Sequence, residues 1–244
     1  MKTKQFFLHG LLFLLLAVGL ASCNVNGYFY QNVMGSGIVV NEVRQVGEFS
    51  GIRATGIFKV FVTIGDNWHV EVVTDDNIHP YVATRIADHT LIIETTERVN
   101  FRPATKLHVH VTTPAINAVR ASGASTVYLE TPLEQHTLYL HASGSSDIFA
   151  EAYLGELDAN SSGSSDIHIS GHAQKASVSA SGSSDFKGSG FSCEEAHIRL
   201  SGSSDAWIKV HQLVTGNLSG SSDLHLSGDA KVDVNTSGSS KVRR

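Results

Sequence analysis

Ser143-Gly144-Ser145-Ser146-Asp147 is the first of five identical pentapeptides, and the same five residues begin again at positions 162, 181, 201 and 219. Two degenerate copies flank this array, Ser122-Gly123-Ala124-Ser125-Thr126 before it and Ser237-Gly238-Ser239-Ser240-Lys241 after it. The seven starts span 115 residues in six steps, a mean period of about 19 residues. A fixed period of this length is typical of solenoids, which stack one structural unit per repeat.

Residues on both sides of each pentapeptide alternate between apolar and polar types. Around the copy at 162 the small or aliphatic positions are Leu157, Ala159, Ser161, Ile167 and Ile169. Alternation with period two predicts half-buried strands, and the motif glycine suits the positive φ of a sharp turn. Each period therefore predicts a strand, a tight turn, a second strand and a variable connection such as 152–156 or 188–195.

These features predict an all-β fold, a parallel β-helix in the form of a two-sheeted β-solenoid with coils of about 19 residues. No proline follows Pro132, as expected where neighbouring strands use every N–H. An antiparallel meander is the alternative. We expect a single domain over 35–244, with degenerate coils at 35–121 that begin and cap the stack and repeat coils at 122–244.

The first 22 residues are interpreted as a lipoprotein signal peptide. Two lysines precede the apolar run Phe6 to Leu20, which is too short and interrupted for a membrane span. Leu20-Ala21-Ser22-Cys23 resembles a bacterial lipobox, which predicts lipid attachment at Cys23 and a tether over 23–34; ordinary cleavage with a free Cys23 thiol is the alternative. With Cys23 acylated, Cys193 has no disulfide partner in the chain and is expected to be a buried small apolar residue.

Composition excludes several classes of protein. A chain of 244 residues that is 41% hydrophobic and 17% charged can bury a core, so collagen, coiled coil and full disorder are excluded. The net charge is −5, and the basic residues cluster only at Arg243-Arg244, which argues against a nucleic-acid partner. Removing residues 1–22 leaves 16 basic and 23 acidic residues, a formal charge of −7.

Several short segments resemble one family in their order along the chain. They are Gly35-Ser36-Gly37, Phe49-Ser50-Gly51-Ile52, Gly56-Ile57-Phe58-Lys59-Val60, Asp75-Asp76-Asn77-Ile78 and the Ser-Gly-Ser-Ser turns. Together they resemble the putative auto-transporter adhesin, head GIN domain family, over about residues 35–244. The resemblance implies a β-helical fold related in shape to pectin-lyase-like proteins, no recognisable catalytic residues and an adhesive role.

No catalytic site or cofactor is expected. Asp158 and Asp233 lie four coils apart, about 19 Å at the strand spacing, whereas glycosidase carboxylates need about 5–9.5 Å. The sequence has no Gly-x-Ser-x-Gly nucleophile motif. His108 and His110 supply half a zinc site, and no third ligand with suitable spacing is evident.

The repeated motif aspartates form the one candidate metal site in the repeats. They are Asp147, Asp166, Asp185, Asp205 and Asp223. A column of carboxylates could bind Ca²⁺, but each turn supplies one acid where Ca²⁺ needs six to eight oxygens. We therefore expect no metal, and a Ca²⁺ ladder is the less favoured alternative.

The second position after each motif aspartate predicts an outward stripe of aromatic and basic residues. It consists of Phe149, His168, Lys187, Trp207 and His225. We expect an interface with loops or another subunit, and a glycan-binding face is the alternative.

The whole pattern predicts a non-enzymatic cell-envelope lipoprotein that acts as an adhesin or surface-interaction module. It would be exported and anchored to the outer membrane by its N-terminal lipid, with a protein or glycan ligand and no nucleic acid. The face of the membrane on which the domain lies and homo-oligomer formation stay open. A carbohydrate-active enzyme or glycan-binding protein of pectin-lyase-like shape and a periplasm-facing scaffold or sensor are the alternatives.

Overall fold

The computed structural model describes residues 31–96, 99–102 and 106–244, and residues 32–244 form one compact unit. Apart from a 3-10 turn at His79–Tyr81, its regular elements are strands. The strands are β1 Gln31–Val33, β2 Val39–Arg44, β3 Gly51–Gly56, β4 Lys59–Ile64, β5 His69–Asp75, β6 Val82–Ala87, β7 Thr90–Thr95, β8 Val99–Phe101, β9 Leu107–Thr113, β10 Ala118–Gly123, β11 Thr126–Leu129, β12 Leu133–Gly144, β13 Asp147–Gly163, β14 Asp166–Gly182, β15 Asp185–Gly202, β16 Asp205–Leu218, β17 Asp223–Ser227, β18 Lys231–Thr236 and β19 Lys241–Arg243.

The repeat region is a stack of parallel coils in register. β13 pairs with β14 from Asp147 opposite Asp166 to Gly163 opposite Gly182, an offset of one 19-residue repeat. β14 and β15 pair in the same way, as do β15 and β16. The predicted β-solenoid is confirmed, and the antiparallel meander is wrong for this region. Parallel stacking follows from the repeat, because identical turns bring identical strands into the same position one coil later.

The expected connections at 152–156 and 188–195 are not loops. Both segments lie inside continuous strands, β13 and β15. The buried positions shift from even to odd residue numbers between Leu154 and Leu157, where the chain turns a corner of the coil. Ala152 and Leu154 before the corner and Leu157 and Ala159 after it are all buried. The chain turns the corner while its backbone stays hydrogen-bonded to the coils on either side, and β15 absorbs extra residues as a register irregularity after Lys187.

The motif turn owes its shape to a glycine and a buried serine. Gly182 has a φ of +84°, a backbone conformation that residues other than glycine rarely adopt. Ser184 is fully buried; its Oγ accepts a hydrogen bond from Ser181 N–H at 3.1 Å and donates one to Ser181 O at 2.9 Å. The N–H of Ser183 donates to Gly163 O at 2.7 Å and links successive turns.

The segment 35–121 contributes coils and a cap, but not in chain order. β3 and β4 pair in parallel with β10 and β11 on one side and with β7 and β9 on the other. The chain therefore inserts an earlier coil between two later ones. β2 pairs antiparallel with β5, β5 with β9 and β6 with β7, so this end departs from solenoid geometry, as a cap requires.

The N-terminal predictions lie mostly outside the described residues. These are the signal peptide over 1–22, Cys23 and most of the tether over 23–34. Within the tether range, β1 forms a separate two-stranded sheet with β8. In the described ranges no helix is long and apolar enough to cross a membrane. Cys193 is fully buried as expected, and this burial raises the pKa of its thiol to about 12.

Candidate interaction surfaces

The predicted stripe forms one continuous column on the strands that follow the turns. Register pairs connect each of its members to the next, one coil at a time. The same column continues beyond the predicted residues at both ends. We call the full set the ring stripe; it consists of His110, Phe61, Tyr128, Phe149, His168, Lys187, Trp207, His225 and Arg243.

The rings of the stripe stack on one another along the coil axis. Tyr128 and Phe149 have centroids 4.9 Å apart with planes 14° apart, and Phe149 and His168 are 4.3 Å and 16° apart. Phe61 stacks on Tyr128 at 5.3 Å, and Trp207 stacks on His225 at 4.7 Å. Stacked rings cover the faces of their neighbours, so the stripe presents mainly ring edges to a partner.

Four members of the stripe were missing from the sequence prediction, although the signal for two of them was available. Tyr128 lies two residues after Thr126, and Arg243 lies two residues after Lys241, which replace the motif aspartate in the two degenerate copies. Phe61 stands in the same relation to Lys59, which pairs with Thr126. Phe61 and His110 needed the structure, because β4 and β9 enter the stack through pairings that no repeat marks.

Lys187 interrupts the rings with a charge. Its Nζ donates a hydrogen bond to Asp166 Oδ2 and lies 3.9 Å from Asp185 Oδ2. The hydrogen bond to Asp166 raises the pKa of Lys187, while desolvation and then Lys187 lower the pKa of His168. The middle of the stripe therefore carries a lysine cation beside an imidazole whose neutral form is favoured.

The motif aspartates lie in a column next to the ring stripe. The N–H groups of Asp185, Asp205 and Asp223 each donate to Oδ1 of the aspartate one coil earlier, at 2.8–3.2 Å. Asp147, Asp166 and His168 place three possible ligand atoms within 4.8 Å of one another. Lys187 already supplies a cation to Asp166 there, and the carboxylates of Asp166, Asp185 and Asp205 accept backbone N–H groups.

His108 and His110 both contact the ring of Phe61, and their own centroids are 6.4 Å apart. Their centroids are 5.4 Å and 5.0 Å from that of Phe61. Desolvation and His110 lower the pKa of His108. In the described part of the chain, neither histidine belongs to a group of three or more metal-binding side chains.

A groove of about 360 Å³ runs across the strands that precede the turns. Its charged side chains are Glu156, Asp158, Lys175 and Glu195, and the half-exposed ring of Tyr139 lies at one end. Asn160 Nδ2 donates to Asp158 Oδ1 at 2.6 Å, and Lys175 Nζ lies 3.7 Å from Glu195 Oε2. Asp158 and Asp233 are separated by four register steps, as predicted from the spacing.

A second groove, of about 430 Å³, lies beside the first and has a different character. Its walls include His141, Asn160, Ser179, Arg199 and Asn217, together with the first serines of several motifs. The column continues past His141 to Arg120 and then to Arg53, both exposed. Arg199, His141 and uncharged serine and asparagine side chains line this groove, whereas the first groove carries carboxylates.

Comparisons with solved structures agree with this architecture. A putative adhesin from Bacteroides fragilis superposes with a TM-score of 0.82 over 86% of this chain and 99% of its own, at 18% identity. A putative adhesin from Parabacteroides merdae gives 0.73 over 87% and 98% at 21% identity, and a putative lipid binding protein from Parabacteroides distasonis gives 0.75 over 87% and 99% at 16% identity. At these identities the likeness shows a common fold.

No curated protein matches this sequence. The sequence profile of one family matches residues 48–230, which is most of the chain and includes the two grooves and most of the ring stripe. This match agrees with the resemblance seen in the short segments and the turn array. The chain therefore belongs to the family described as putative auto-transporter adhesin, head GIN domain.

Proposed function

We propose that this chain is an exported, lipid-anchored interaction module of the outer membrane, of the adhesin type and without enzymatic activity. Its lipid would be attached at Cys23, and the ring stripe would contact a protein partner. The family and its adhesin-like structural neighbours support an exported protein of this class. The ring stripe is the observation that carries the proposal.

The stripe has the composition and stiffness of a recognition surface. Aromatic residues and arginine are enriched in protein interfaces, and this column places seven rings or imidazole groups, one lysine and one arginine in a single line. Each residue is held by a backbone that is paired on both sides except at the ends of the stack. A rigid surface loses little conformational entropy on binding.

Attachment of intact cells carrying the full-length protein tests the stripe. Trp207→Ala removes a stacked ring and is expected to lower attachment to host matrix or to other cells. Tyr139→Ala is the matched control, because Tyr139 is an exposed aromatic on the other strands of the coil. Unchanged attachment of the Trp207 variant, with loss in the Tyr139 variant, would assign binding to the first groove instead.

Protease treatment of intact cells tests the anchoring and the orientation. Wild-type protein is expected to be digested, and Cys23→Ala is expected to be lost from the membrane fraction. Full protection of the wild type would contradict an outward-facing adhesin and support a periplasm-facing scaffold or sensor.

The first groove favours one alternative, a carbohydrate-active or glycan-binding protein. Three carboxylates and an exposed tyrosine ring lie together there. Turnover on a panel of polysaccharides, abolished by Glu156→Gln, would establish an enzyme and overturn the non-enzymatic proposal.

A further inference from the structure

The second groove is part of a longer surface with an uneven distribution of charge. We call it the serine-arginine strip. Its first column is Arg53, Arg120, His141, Asn160, Ser179, Arg199, Asn217 and Asn235, and its second is Thr55, Ser122, Ser143, Ser162, Ser181, Ser201, Ser219 and Ser237. None of these sixteen positions is Asp or Glu, although the chain has 23 acidic residues.

The positive charge of the strip comes from three arginines. Within the described residues, no carboxylate forms an ion pair with Arg53, Arg120 or Arg199, and all three are exposed. Arg53 lies opposite Arg120, so two guanidinium cations stand one strand spacing apart. Such an arrangement is unfavourable in the free protein, and an anion that binds across it relieves the repulsion.

The spacing of the charges indicates what kind of anion fits. Two neutral rungs, Asn160 and Ser179, separate the basic cluster from Arg199, and Asn217 and Asn235 follow it. A nucleic acid or polyphosphate carries a charge on every unit and would find an arginine on only three of the eight rungs. A polymer rich in hydroxyls with fewer charges would use the cations for its acidic groups and the serine and asparagine side chains for its hydroxyls.

We propose that the serine-arginine strip binds a linear acidic polysaccharide that lies along the coil axis. The strip covers eight rungs, or about 34 Å at the spacing of neighbouring strands, which is long enough for several sugar units. The groove of about 430 Å³ holds the middle of that polymer. This site is independent of the ring stripe, which lies on the strands that follow the turns.

Binding of the purified full-length protein to defined polymers tests the proposal. Hyaluronan and unsulfated chondroitin, in which only every second sugar carries a carboxylate, are the acidic probes, and dextran is the neutral one. The double variant Arg53→Gln, Arg120→Gln is expected to lower the affinity for the acidic probes by about tenfold or more. Lys175→Gln is the matched control, because it removes a cation of the first groove that is already paired with Glu195; it should change affinity by less than about twofold.

Three results would overturn the proposal. They are no binding of either acidic polysaccharide by the wild type, equal loss in the Lys175 variant, and tighter binding to single-stranded DNA or to phosphatidylglycerol vesicles than to the polysaccharides. The adhesion proposal is tested separately through Trp207→Ala, so either proposal can fail without the other. Retained binding in the Trp207 variant, with loss in the double arginine variant, would place the polysaccharide on the strip alone.

Discussion

The N–H of Asp205 donates a hydrogen bond of 3.1 Å to Oδ1 of Asp185, one coil earlier in the stack. The pair before it, Asp185 and Asp166, repeats the contact at 3.2 Å. The motif aspartate therefore joins adjacent turns through its side chain, which is a structural role that does not need a bound ion. Desolvation raises the pKa of Asp185, so its environment favours the neutral carboxyl.

Two substitutions of Asp185 distinguish the contribution of its hydrogen bond to stability from the contribution of its charge. Asp185→Asn keeps an oxygen for the N–H of Asp205 and removes the repulsion from Asp166 and Asp205, so the free energy of unfolding should be unchanged or slightly higher. Asp185→Ala loses the acceptor and should lower that free energy by about 1 kcal/mol. Urea unfolding of the two variants measures the difference. Equal destabilisation by Asn and Ala would mean that the charge itself is required.

Calcium should not change the stability of the wild type. The aspartate column already accepts backbone N–H groups, and Lys187 pairs with Asp166. We expect the same midpoint of thermal unfolding in millimolar CaCl₂ and in EDTA. A rise with CaCl₂ that Asp185→Asn abolishes would instead establish the calcium ladder.

Replacing each of two neighbouring serines of one motif by alanine should have very different effects on stability. Ser184 is fully buried and bonded to Ser181, so Ser184→Ala leaves the N–H and C=O of Ser181 without this partner and should cost about 1–3 kcal/mol of unfolding free energy. Ser183 is exposed, and its role in the turn uses only its backbone. Ser183→Ala should be within about 0.5 kcal/mol of the wild type. Similar losses in both variants would contradict this assignment.

The motif glycine should tolerate no side chain. At Gly182, φ is +84° and a Cβ would lie 2.6 Å from Gly163 O, so Gly182→Ala combines backbone strain with a clash against backbone. We expect a loss of about 2 kcal/mol or more in urea unfolding. Gly47→Ala is the control, because φ there is not positive and a Cβ would meet nothing within 4 Å. A stable Gly182 variant would show that the turn can change its conformation.

Stability should decrease as the solution becomes mildly acidic. The pKa values of His108, His168 and His197 are lowered from 6.5, chiefly by desolvation, so the unfolded chain binds protons at a higher pH than the folded chain. Their contribution to the free energy of unfolding is present above about pH 6.5 and is lost as the pH falls through their pKa values in the folded state. The raised pKa of Asp185 acts in the opposite direction at lower pH, near the ordinary value of 3.8.

The urea midpoint between about pH 7.5 and 5.5 measures this effect. His168→Phe keeps a ring to stack on Phe149 and should flatten the pH dependence. His211→Gln, at an exposed position, is the control and should leave the slope unchanged. A slope that His168→Phe does not reduce would show that other groups cause it.

The local sequence pattern was sufficient to predict much of the structure of the repeat region. The period of about 19 residues and the alternating flanks predicted parallel coils, and the glycine of each motif predicted a turn with positive φ. These predictions hold because each coil repeats the same sequence pattern, and stacking similar units forms the same hydrogen bonds each time. The stripe at the second position after the aspartate followed from the same arithmetic.

Other features depend on contacts that are distant in the chain. The placement of β3 and β4 between later coils depends on pairing across more than 60 residues, with Arg53 opposite Arg120, and no repeat marks it. The unbroken strand through 152–156 needs hydrogen bonds from the coils on both sides. The burial of Ser184 beside an exposed Ser183 is likewise decided by how the turns stack, because the two residues are chemically identical. Periodicity therefore specified the coil, whereas long-range pairing decided the order of the first coils, the closure of the corner and the grooves between side-chain columns.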